Sequence, residues 1–117
     1  MLPRELVWMP AIKGAPHPAI VLEVLQDGAV LVVVSGTSDK DFPQHGYVIV
    51  SANTLEARDL ELDKDTYFFV PVRKVYTKEV RPTGRKCSLR LFLKIREVAD
   101  EDVENATGPG PGEDKTN

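Results

Sequence analysis

One cysteine stands in a chain of 117 residues. Cys87 has no partner for an internal disulfide, and a single thiol builds no cysteine metal cluster. No apolar run approaches the ~20 residues that a membrane-spanning helix needs. The N-terminal segment MLPRELVWMP places Pro3, Arg4 and Glu5 where a secretory signal would keep a long apolar core. The expectation is a cytoplasmic chain with no membrane partner, no metal and no cofactor. No internal repeat is visible, and no Gly-x-Ser-x-Gly elbow supports a hydrolase reading of His17, Ser38 and Asp39.

The stretch from Gly14 to Ser38 carries the most information. Two apolar runs, residues 19–25 and 29–34, flank Gln26-Asp27-Gly28. Asp-Gly between β-branched runs is a strong hairpin signal. An antiparallel hairpin brings its outer ends back together. His17 and Thr37, 20 residues apart in sequence, therefore face each other at the open end, with Ser38 beside them. Because both strands are nearly continuous Val, Leu and Ile, at least one is buried on both faces or closed into a barrel.

Net charge is −3, but it is unevenly spread. Residues 1–70 carry five basic and ten acidic side chains, net −5. Residues 71–96 carry nine basic side chains and one acidic, net +8, and residues 97–117 carry one basic and seven acidic, net −6. A concentrated basic segment is the footprint expected for a polyanion, and screening over about 8–10 Å keeps distant acids from cancelling it. Its candidate contacts are Arg73, Lys74, Arg81, Arg85 and Lys86. The alternative is neutralisation by acidic neighbours, including a 97–104 segment folded over it, or by a partner protein.

The remaining pattern reads as a small, mainly β domain over 1–105, α+β at most, with a disordered tail over 106–117 rich in Gly and Pro. Expected strands are Glu5–Met9, 18–25, 29–35, Tyr47–Val50 and Thr66–Val70. Asn53 and Glu56 have capping-box spacing and predict a short helical turn near 54–59. EVRPTGRK, residues 79–86, reads as a turn. From Ser88 to Ile95, apolar residues alternate with Ser88, Arg90 and Lys94, which favours a half-exposed strand broken only by Phe92. Residues 99–105 read as a short acidic helix. A bent, SH3-like barrel fits this spacing of strands.

In order, ELVWM, HPAIVLEV, VLVVVSGTS and TYFFVPVRKVY resemble the PemK/MazF family of plasmid-maintenance and growth-inhibitor toxins over residues 4–75. The resemblance implies an SH3-like barrel with one or two short helices, a homodimer, and metal-independent endoribonuclease cleavage of single-stranded RNA. It also implies an antitoxin protein as partner. His17 stands where the family's catalytic arginine precedes proline. Thr37 matches its catalytic threonine and Ser38 the hydroxyl after it. The loop PAIKGAP before His17 is shorter than the family's Gly-rich loop.

Metal-free RNA cleavage needs a base for the 2′-hydroxyl, an acid for the leaving oxygen, and donors for the phosphorane. Imidazole, with a reference pKa of about 6.5, can serve either proton role, whereas arginine clamps phosphate. Lys13 and Arg73 are candidates for the missing positive charge. Phe42, in a polar loop near the site, is the best-placed exposed ring for stacking a base. Trp8 and Phe68 read as core. The bland alternatives are a solvated turn histidine, an ST-turn at Thr37-Ser38, and a loop position for His45. Two other classes stay open: an inactive barrel that binds nucleic acid through 71–96, and a protein-interaction or regulatory module.

Overall fold

The hairpin forms where turn chemistry places it. In the computed structural model, which describes residues 1–10 and 15–107, strand β2 is His17–Leu25 and β3 is Val30–Thr37. Between them Gln26, Asp27 and Gly28 take φ values of 51°, 54° and 96°. That left-handed run suits Asp-Gly and strains most other residues. The turn is strapped from outside: Thr77 N–H donates to Ala29 O at 3.0 Å, and the Thr77 hydroxyl donates to Gly28 O.

Strand β1, Glu5–Met9, lies antiparallel to β2, with Leu6 opposite Ile20 and Met9 opposite His17. Three further strands, β4 (Tyr47–Val50), β5 (Thr66–Tyr76) and β6 (Arg81–Lys86), complete a six-stranded antiparallel sheet. The order is β4-β5-β3-β2-β1-β6. The fold is therefore mainly β, and β4 and β6 are its two edge strands.

Strand β6 corrects the expected turn at 79–86. Pro82 sits on an edge strand, where a missing N–H orphans no second neighbour. Between Arg85, opposite Leu6, and Pro82, opposite Val7, the register shifts, and Gly84 takes φ 78°. This bulge absorbs the turn-like residues without ending the pairing. The Thr83 hydroxyl donates to Leu6 O at 2.6 Å.

A second correction concerns residues 88–95: 89–95 are helical, and Ser88 precedes the helix. Helix α1 is the short Leu55–Asp59 and α2 is Leu89–Thr107, 19 residues long. On a helix, residues four apart share a face. Leu91, Ile95 and Ala99 are buried, whereas Leu89 and Leu93 are more than half exposed. The apparent period-two alternation is thus two helical rows pointing opposite ways. Phe92, which broke the alternation, packs against the core with Val98. The acidic segment 99–105 belongs to the same helix, which runs on through 106 and 107; the rest of the predicted tail, 108–117, lies outside the described residues.

Core packing occupies both faces of the sheet. One cluster joins Leu6, Ile20, Leu22, Val34 and Phe68 to Ala57, Leu60, Leu91 and Ile95 from the helices. The other holds Val7, Ala19, Val21, Leu31, Val33 and Val80. β2 and β3 contribute alternate residues to both, which is why residues 19–22 and 30–34 are apolar without a break. Among the described residues no helix is long and apolar enough to cross a membrane.

Candidate functional site

The open end of the hairpin carries a groove. Ala19 lies opposite Ser35, and the same register, two residues on, brings His17 to Thr37. A cavity of about 680 Å³ opens there, lined by His17, Pro18, Thr37 and Ser38 together with Trp8 and Met9 of β1. The three residues expected to act together do share one site.

Gly36 shapes the groove wall. A Cβ there would lie 2.9 Å from the Phe68 ring, 3.0 Å from Thr66 Cγ2 and 3.1 Å from Pro18 Cγ. Those contacts are too short for alanine without displacement, so β2, β3 and β5 approach closely just before Thr37. Thr37 is itself buried. Its Oγ1 accepts from Asp39 N–H at 3.1 Å, an ST-turn that orients the hydroxyl and leaves its proton available to donate. Ser38 is exposed, as is His17. Among the described residues no side chain hydrogen-bonds the His17 ring.

Charge reaches the groove from segments far from the hairpin. Arg81, opposite Trp8 across β1 and β6, and Lys64 both line it. So do Glu61, Asp63 and Glu79. Glu61 is neutralised by Arg85, which holds it in an ion pair and also donates to Asp59 O at 3.2 Å. Two cations, Arg81 and Lys64, then face two carboxylates, Asp63 and Glu79.

The other expected contacts are dispersed. Arg73 and Lys74 lie opposite Val33 and Val32. Arg73 is thus four residues back from Thr37 along β3, roughly 13 Å at the usual rise per strand residue. Neither lines the groove, so Arg81 takes the place expected of Arg73. Lys86 pairs with Glu5 at the far end of β1. Phe42 is 57% exposed and packs edge-on to Phe69 at 5.3 Å, away from the groove. Lys13 lies outside the described residues. The nine cations of 71–96 are distributed over β5, the turn at 77–79, β6 and α2. Among the described residues, no ion pair joins them to the acidic stretch 97–104; Arg96 pairs instead with Glu23 at 3.4 Å.

Trp8 corrects a second expectation. It is half-buried rather than core, and it lines the groove. Lys64, Glu61 and Glu79 went unrecognised because no local motif marks them; the α1–β5 link and the turn before β6 deliver them. No group of His, Cys, Asp and Glu able to hold a metal occurs among the described residues. Comparison of the chain with protein-family models, curated proteins and solved structures gives no match.

Proposed function

We propose that the groove binds single-stranded RNA and cleaves it without a metal ion, in a small SH3-like barrel of the PemK/MazF kind. The observation that carries this reading is the convergence of His17, Thr37 and Ser38 with Trp8 and Arg81 at one end of the sheet. Each supplies something the reaction needs. His17 accepts the 2′-hydroxyl proton as the 2′-oxygen attacks phosphorus. The bond to the 5′-oxygen breaks, that oxygen takes a proton from solvent, and a 2′,3′-cyclic phosphate remains. Thr37 and Ser38 hydroxyls donate to the non-bridging oxygens, and Arg81 clamps the phosphate. Trp8 offers a face for an unpaired base. The same reading carries a homodimer and an antitoxin protein as partner.

Binding without cleavage is the second reading. It is favoured by the His17 ring, which no side chain among the described residues hydrogen-bonds, and by Asp63 and Glu79 in the groove. Single-turnover cleavage of a long unstructured RNA in EDTA separates the two. Wild type should cleave, and His17→Ala and Thr37→Ala should each lose on the order of 10²-fold or more in rate, the scale of a general base or an oxyanion donor. Undiminished cleavage by His17→Ala moves the site elsewhere. A folded wild type that binds RNA without cutting it establishes the second reading.

A further inference from the structure

A second groove, independent of the RNA reading, lies on the opposite edge of the sheet between β4 and α2. Its volume is about 270 Å³, and it is lined by Val48, Ile49 and Val50 of β4 and by Arg90, Leu91 and Lys94 of α2.

Strand β4 has a free backbone edge. Val70 N–H donates to Gly46 O at 3.0 Å, while Tyr47 lies opposite Phe69 and Ile49 opposite Tyr67. In an antiparallel ladder, inward and outward backbone groups alternate. The N–H and C=O of Val48 therefore point to β5, and those of Tyr47 and Ile49 point outward. Among the described residues nothing pairs with these outward groups. Such an edge is a template for an added strand.

The two sides of that edge differ in chemistry. Toward α2, Arg90 and Lys94 are one helical turn apart, exposed, and without an ion pair among the described residues. Glu56, also in this groove, is engaged by Ser88, whose N–H donates to it at 3.1 Å. On the other side Tyr47 and Ile49 are 47% and 43% exposed, and Tyr47 packs edge-on to Tyr67 at 5.3 Å. Side chains of an added strand alternate between the two sides.

We infer that the β4 edge binds an extended segment of another protein in which acidic and apolar residues alternate. The acidic side chains meet Arg90 and Lys94, the apolar ones cover Tyr47 and Ile49, and the backbone pairs with Tyr47 and Ile49. The chain's own residues 108–117, GPGPGEDKTN, lack this alternation. RNA offers no ladder of amide groups for the edge.

The test is fluorescence anisotropy on the full chain with a labelled seven-residue peptide of alternating Val and Glu. Binding is expected at roughly micromolar Kd, about −8 kcal/mol. A peptide with Lys for Glu should bind at least about tenfold more weakly, and Arg90→Glu with Lys94→Glu should reverse that preference. Backbone N-methylation of the residues that pair with Tyr47 and Ile49 should abolish binding. Ile49→Pro removes an outward N–H that the fold does not use, a position where edge strands tolerate proline, and should abolish binding with the circular dichroism spectrum unchanged. If that variant unfolds, the N-methylated peptide decides. No binding at about 1 mM, near −4 kcal/mol, overturns the inference. So does equal binding of the Lys or N-methylated peptide, or a dimer in solution whose Tyr47 and Ile49 amides are protected from exchange.

Discussion

Cys87 shows how far a residue's sequence context can mislead about its chemistry. It lies among Arg85, Lys86 and Arg90, a setting that lowers a thiol pKa when the charges reach it. In the fold the residue is fully buried, and its pKa is pushed up to about 11, first by burial and then by the Glu56 carboxylate; Arg4 opposes the shift. The fold thus holds the thiol protonated while the unfolded chain ionises near 9.0. The resulting stabilisation is fully present below pH 9 and is lost as pH rises through about 11. Denaturation midpoints measured from pH 7 upward should fall more steeply in wild type than in Cys87→Ala over that window. Parallel slopes, or rapid labelling of native Cys87 at pH 8, contradict the assignment.

At the scale of the element, the helix ends were partly legible. Capping chemistry was anticipated at residues 53–56, but Asn53 takes φ 69°, and an N-cap needs extended backbone. Thr54 supplies it and accepts from Ala57 N–H at 3.2 Å. Glu56 does not reach back within α1. It crosses to Ser88, accepting from its N–H and its hydroxyl, while Ser88 Oγ caps α2 by accepting from Leu91 N–H at 3.1 Å. One carboxylate therefore ties the start of α2 to α1. Glu56→Ala should cost about 1–3 kcal/mol, the range for a half-buried hydrogen bond to a charge. A double-mutant cycle with Ser88→Ala should show non-additivity in urea midpoints. Simple additivity excludes the link.

For the whole molecule, the basic segment was readable as composition and unreadable as a surface. Its nine cations fall on four different elements, and only Arg81 reaches the first groove while Arg90 and Lys94 reach the second. Single-stranded RNA binding should therefore lose about 0.7 from its log–log salt slope in Arg81→Ala, the value for one phosphate contact. Arg73→Ala should leave the slope unchanged. A drop in Arg73→Ala with none in Arg81→Ala places the RNA path along β5 instead of at the hairpin end.

By itself the sequence determined the hairpin, its Asp-Gly turn, the burial of at least one of β2 and β3 on both faces, and the meeting of His17 with Thr37. These rest on turn conformation and strand alternation, which act over a few neighbouring residues. Only the tertiary structure decided the rest. Residues 88–95 carry an apolar spacing that a strand and a helix both accommodate until the packed face is known. Strand β6 exists because β1 offers its edge to a bulged partner. Trp8, Lys64 and Arg81 enter the groove through contacts between segments distant in sequence, and such contacts leave no local periodicity to read.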